Sequence, residues 1–267
     1  MTPDRAATAP GVHRAVQQTL AAQRIEGWDP QPGHIAELEA LASGTARFGD
    51  YLARCLDEYP PTPTRRRFFR RAVPYLIPGT SVLRNNFGIR HGPDLAAVEY
   101  RVTAGRMVLW HRQQSGPAAE IDLRSLHRQL FGDVYPWAGE LRIVDLRRGD
   151  SGFAWQSDVA AGMDEIQFAT IELVAVGAGY DNPRLAWELS RIYARYNHLH
   201  PFREGNGRAG MLLLDALAAR CGRQLDLAGV TRADWYSAAR DSMPLHRDGH
   251  PSHRPFLWLL NRAVKSC

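Results

Sequence analysis

Nine consecutive residues, His200-Pro201-Phe202-Arg203-Glu204-Gly205-Asn206-Gly207-Arg208, bring together groups that chemistry needs side by side. A neutral histidine accepts a proton near pH 7. Glu204 offers the hard oxygen that Mg²⁺ prefers, and the phosphates of a nucleotide supply further ligands. Arg208, Asn206 and the amides of a glycine-rich turn can hold phosphate oxygens. Phe202 is expected to point inward and pin the loop. A lone histidine is usually a satisfied turn or core residue; five compatible residues at fixed spacing point instead to a site.

The flanking elements explain how these groups meet. Leu185, Leu189, Ile192 and Tyr196 recur at helical spacing, so a helix leads into the stretch. It should stop at or before His200, because a residue ahead of proline is pushed out of the helical region. Met211-Leu212-Leu213-Leu214-Asp215-Ala216-Leu217 reads as a second, mostly buried helix. The nine residues are then the elbow between two core helices. Gly205 and Gly207 let backbone approach a ligand at a helix N-terminus, a ready anion site.

The stretch resembles the signature of the Fic (Fic/Doc) family, His-x-Phe-x-Asp/Glu-Gly-Asn-Gly-Arg-x-x-Arg. It matches from His200 to Arg208 and departs at the last position, where this chain has Met211. The resemblance implies an all-α fold with a small β-hairpin, the flap. It also implies transfer of a nucleoside monophosphate, AMP from ATP with Mg²⁺, to a Ser, Thr or Tyr hydroxyl of a target protein. His200 would be the base, Glu204 the metal ligand, and Gly205, Asn206, Gly207 and Arg208 the nucleotide-binding residues.

Composition narrows the alternatives. The chain has 267 residues, 45% of them hydrophobic, and a net charge of +5. Its single lysine is Lys265, which excludes a Walker-type phosphate loop and a Schiff-base mechanism. Cys55, Cys221 and Cys267 are odd in number and lack metal-ligand spacing, consistent with a reducing compartment. There is neither a run of about 18 apolar residues nor an apolar signal-peptide core, so no membrane partner and a cytoplasmic location are expected. Delivery into another cell stays open.

Near the N-terminus, residues 11–27 read as one helix, with Val12, Val16 and Leu20 on a shared face and Gly27 as its C-cap. Glu26 is then oddly placed, a carboxylate at the negative end of the helix dipole. Fic proteins are commonly restrained by a helix bearing Ser/Thr-x-x-x-Glu-Gly/Asn. Ala22-Gln23-Arg24-Ile25-Glu26-Gly27 resembles that pattern at its glutamate and glycine, with Ala22 in the hydroxyl position. The resemblance implies a regulatory Glu26 in an antitoxin-like segment, residues 1–58, fused to a Fic domain, residues 75–267. Arg208, the remaining motif arginine, is its expected partner.

Residues 59–74 form a Pro- and Arg-rich linker. Its run Arg65-Arg66-Arg67-Phe68-Phe69-Arg70-Arg71 suits one amphipathic turn better than a nucleic-acid contact. Further helices are expected at 34–41 and 48–56, from Asp94 to Leu109, from an Asp122 cap, over Ser157–Val176, from a Thr231 capping box, and around Phe256–Leu260. Leu141–Leu146 alternates as a strand should, Arg148–Gly152 turns, and Phe153–Trp155 returns. This hairpin, residues 141–156, would be the flap on which a target segment docks by strand addition. His246, His250 and His253 share no helical face and are not expected to hold metal.

Two other readings compete with adenylyl transfer. One keeps the fold and changes the donor to UTP or a phosphocholine compound, because Met211 cannot hydrogen-bond a terminal phosphate. The other is a nucleotide-binding regulatory module without turnover.

Overall fold

The computed structural model describes residues 10–61, 73–113, 121–149 and 151–266. The arginine run at 65–71 lies outside the described residues, as do Asp150 and Cys267. The described chain is helical, with two small two-stranded ladders.

Three helices come first: α1 (Pro10–Glu26), α2 (Pro32–Ser43) and α3 (Phe48–Asp57). Val12, Val16 and Leu20 of α1 pack with Leu38, Leu41, Tyr51 and Cys55. They lie over Ala104 and Val108 of α4 (Gly92–Gln113). The last turn of α1 does something different. Ala21, Ala22 and Ile25 enter the main core of the molecule, so this helix is bedded in the body that follows it.

α1 ends as its sequence predicts. Gly27 has φ +106°, its N–H donates to the Arg24 carbonyl, and the Trp28 N–H reaches back to the Gln23 carbonyl. Those two bonds close a Schellman turn. The Tyr100 hydroxyl donates to the Glu26 carbonyl at 2.8 Å.

α5 (Leu123–Phe131) is capped by Asp122, which accepts from the Arg124 and Ser125 amides. The segment after it carries the hairpin, and here expectation and structure differ. Among the described residues of this segment, only Arg147–Arg148 (β1) and Ser151–Gly152 (β2) form a ladder. The stretch before β1 is instead fastened to the end of the motif helix. Arg142, 1% exposed, donates through its guanidinium to the carbonyls of Val144, Ala154, Leu199 and His200. A side chain with five rigid donors replaces a strand ladder in holding the flap base.

α6 (Val159–Val176) packs on α7 (Asn182–Leu199), whose cap Asp181 accepts from Arg184 N–H. The elbow follows, then α8 (Asn206–Arg220). Strand β3 (Arg223–Leu225) pairs antiparallel with β4 (Val264–Ser266), a ladder too short to show as alternation in sequence. Between them lie α9 (Arg232–Asp241), capped by Thr231, and α10 (Arg254–Ala263). Leu185, Leu189 and Tyr196 of α7 meet Leu213, Leu214 and Leu217 of α8 in the main core. The elbow is thereby fixed from both sides. Among the described residues, no helix is long and apolar enough to cross a membrane.

Candidate functional site

The turn from α7 to α8 is built by steric demand and by hydrogen bonds that the sequence motif supplies itself. His200 closes α7 in a left-handed conformation, φ 48° and ψ 61°. This geometry is uncommon for a residue with a side chain, and the following proline disfavours the helical alternative. Gly205 also has positive φ, +79°, and a Cβ there would sit 2.2 Å from the Phe131 ring. Asn206 then staples the loop. Its Oδ1 accepts from the Phe202 N–H at 2.9 Å, and its Nδ2 donates to the Phe202 carbonyl at 2.8 Å. Phe202 is fully buried, as expected. Asn206 therefore serves the loop first, leaving one amide hydrogen for any ligand.

His200 is positioned by its neighbours. Its ring stacks on Phe153 of the flap at 3.7 Å between centroids, 11° from parallel. Its carbonyl is held by Arg142 at 2.9 Å. Burial, with Arg148 and Arg142 nearby, pushes the imidazole down to about 3. It is neutral at physiological pH, the state a base requires.

Glu204 turns back on its own loop, where Oε1 accepts from the Gly205 N–H at 3.1 Å. Burial and the charge of Glu99 push its carboxyl above the usual carboxylate range, with Arg208 opposing. A carboxylate in this position gains from a cation, and one carboxylate among phosphate and water oxygens is a donor set that suits Mg²⁺. The loop's backbone is anchored by His127. Its Nδ1 accepts from the Gly139 N–H, so its Nε2 is the protonated nitrogen and donates to the Glu204 carbonyl, both at 2.9 Å. His127 also stacks on Phe202.

Arg208 is placed otherwise than expected. It is 3% exposed, lies between the Tyr100 and Phe131 rings, and pairs with Glu99 of α4. Its Nη1 donates to Thr103 Oγ1 at 3.1 Å. Glu99 also accepts from the Tyr135 hydroxyl, and Gln23 of α1 donates to the same threonine. Burial opposes the charge of Arg208, but Glu99 and Glu26 outweigh it and hold the guanidinium above its ordinary value. This buried network ties α1, α4, α5 and α8 together. The expected direct pair between Arg208 and Glu26 does not form, because Glu99 is nearer and takes the guanidinium. Met211 is 2% exposed and belongs to the core.

Glu26 itself reaches the site. Its Oε1 is 2.2 Å from where a Cβ on Gly207 would stand, so the carboxylate lies on bare backbone in the first turn of α8. A negative group gains there from the helix dipole, which offsets its poor position at the end of α1. Burial pushes its carboxyl up, while Arg208, Arg148 and Arg232 oppose the shift. The cavity shared by Glu26, Arg148, Tyr193, His200, Gly207 and Trp235 is about 20 Å³, room for one water. Of the site residues named from sequence, His200, Asn206 and Gly207 line this cavity with Glu26, whereas Glu204, Gly205 and Arg208 are not among its lining residues. Glu99 and His127 were not named, and Arg142 and Arg148 were placed only as part of the flap. Glu99 had a signal, a carboxylate between Val98 and Val102 on an apolar helix face; the others had none within reach of local pattern.

Comparison with known proteins agrees with this architecture. A family model described as Fic/DOC family matches residues 117–218. The chain is 32% identical over 167 residues to a protein of Escherichia coli (strain K12) named "Probable protein adenylyltransferase Fic", covering 62% of this chain and 82% of that one. The corresponding protein of Salmonella typhimurium is 34% identical over 168 residues, with the same coverage. In fold, the chain is similar to the BepC effector of Bartonella tribocorum, solved with bound AMPPNP. The TM-score is 0.62 at 21% identity, over 72% of this chain and 97% of that one. With an elbow built as described and relatives of this similarity, the chain belongs to the Fic/DOC family.

Proposed function

We propose that this chain is a protein adenylyltransferase, moving AMP from ATP to a hydroxyl of a target protein, and that α1 holds it inactive. The observation that carries the reading is one arrangement: a neutral His200 and the open backbone of Gly207 line the same cavity. A base for the incoming hydroxyl and an anion seat for the donor are adjacent. The relatives named as adenylyltransferases support the choice of reaction.

In this mechanism, the flap lays a target segment beside Phe153, and His200 takes the proton from its Ser, Thr or Tyr hydroxyl. The hydroxyl oxygen attacks the α-phosphorus of ATP, a P–O bond to the protein forms, the α–β bridge breaks, and pyrophosphate leaves with the electron pair. The Gly207 amide at the start of α8 stabilises charge on the phosphate oxygens, while the Gly205 N–H stays with the Glu204 carboxylate. Glu204 would hold Mg²⁺, which supplies charge neutralisation of the phosphates. Tyr193, Tyr196 and Trp235 also line the cavity. Catalysis is then positioning plus electrostatics, with no covalent intermediate on the enzyme.

Regulation is part of the same reading. Glu26 occupies the first turn of α8, where phosphate would go, and its removal should open the seat. A direct test compares ATP binding by the wild-type chain and Glu26→Gly, measured by calorimetry with and without Mg²⁺. Tighter, Mg²⁺-dependent binding in the variant supports the proposal; equal binding in both removes the inhibitory role.

A further inference from the structure

The triphosphate of the proposed donor carries several negative charges, and the arginines of the loop do not meet them. Arg208 is committed to Glu99 and Thr103 between two aromatic rings. Arg203 is not among the residues lining the cavity that Glu26 fills, and Met211 is in the core. The seat nevertheless accepts an anion, since the Glu26 carboxylate rests in it.

Arg148 of β1 lines the same cavity as Glu26, Gly207 and His200. Its side chain is exposed, and its guanidinium lies 5.5 Å from the Phe153 ring centre and 5.4 Å from that of Tyr236. Among the described residues it pairs with no carboxylate within 4.0 Å. Two aromatic rings thus flank an exposed guanidinium at the anion seat, an arrangement with forked donors suited to phosphate. Arg232 stands on the far side, packed over Gly27 and 4.9 Å above the Tyr236 ring. There it is covered by α1, whereas Arg148 is exposed.

We propose that Arg148, reaching from the flap, holds the β- and γ-phosphates of the donor at the place Glu26 now fills. The inference rests on the nucleotide reading above. It makes the flap a part of the nucleotide site as well as of the target site. It also assigns the preference for a nucleoside triphosphate over a monophosphate to a residue outside the loop. Arg148 would touch the leaving pyrophosphate and stay clear of the α-phosphorus.

The test is calorimetric binding of ATP and of AMP to the full chain carrying Glu26→Gly, alone and combined with Arg148→Ala or Arg148→Lys. Arg148→Ala should weaken ATP binding by about tenfold or more and leave AMP binding within about twofold, with Arg148→Lys in between. Because Arg148 is exposed, thermal melting should be unchanged, which keeps a folding defect apart from lost contacts. If Glu26→Gly binds both nucleotides and Arg148→Ala weakens neither, or weakens both equally, Arg148 is not the phosphate residue and the nucleotide reading stands. If Glu26→Gly binds neither nucleotide, the reading itself fails and this inference with it.

Discussion

The carboxylate of Glu26 lies on the backbone of Gly207, 2.2 Å from where that residue's Cβ would be. One residue at the end of the first helix and one at the start of the eighth thus share a single small space. The carboxylate is unfavourable at one helix end and favourable at the other, and the arginines around it tip the balance. Ala21, Ala22 and Ile25 bury the turn that carries it, so the placement is held by core packing as well as by charge.

Glu99→Ala should be strongly destabilising. It leaves Arg208 buried without its counter-charge, which costs about 3–5 kcal/mol. Denaturant unfolding should show a clear loss of stability, and nucleotide binding in a Glu26→Gly background should weaken because the loop loses its anchor on α4. A change below about 1 kcal/mol would mean that Thr103 and the flanking rings suffice.

Arg142→Ala should lower the rate of transfer more than it lowers nucleotide affinity. Its guanidinium holds the carbonyls of His200 and Leu199 to those of the flap base, so its loss loosens the base relative to the target. Arg142→Lys should not rescue, since an ammonium lacks the planar fork that reaches both segments. Steady-state kinetics against ATP separates the two effects.

Met211→Arg should destabilise the fold and not restore a phosphate clamp. The position is 2% exposed in the main core, and an unpaired guanidinium there costs several kcal/mol. A variant that melts like the wild type and binds ATP more tightly would contradict this placement.

Acid should destabilise the protein through His200. Its folded value, about 3, lies below the ordinary 6.5. Between these, the unfolded chain takes up a proton that the folded site refuses, so stability falls as pH drops from 6.5 towards 3. His127, pushed down to about 4 by burial, acts in the same direction. Glu26 and Glu204, both pushed up, act oppositely, their contribution being lost as pH rises through their raised values. The melting temperature of His200→Asn, compared with wild type from pH 7 to 5, should fall less steeply.

How much of this was legible in the chain depends on range. Helices with an apolar stripe and a cap, such as α5 behind Asp122 and α9 behind Thr231, follow from local sequence because both signals are local. The elbow was legible because its residues are contiguous. The flap was only half legible: Leu141–Leu146 alternates like a strand, yet the buried Arg142 fastens it to α7 and leaves two residue pairs of ladder. The β3–β4 ladder joins segments about forty residues apart and has no turn signal to reveal it. At the site, Arg208 looked like a phosphate ligand until Glu99, more than a hundred residues earlier, proved to hold it. Such pairings are decided by how α1 and α5 each pack against both α4 and α8, which no local pattern encodes.

The most direct measurement of the central claim is label transfer from ATP to protein. The Glu26→Gly chain, the wild type and Glu26→Gly/His200→Ala should each be incubated with a cell lysate and ATP labelled at either the α- or the γ-phosphate. The account predicts protein labelling from α-labelled ATP alone, strong with Glu26→Gly, weak with wild type, and absent once His200 is alanine. Labelling from the γ-phosphate, or equal α-labelling with and without His200, would contradict it.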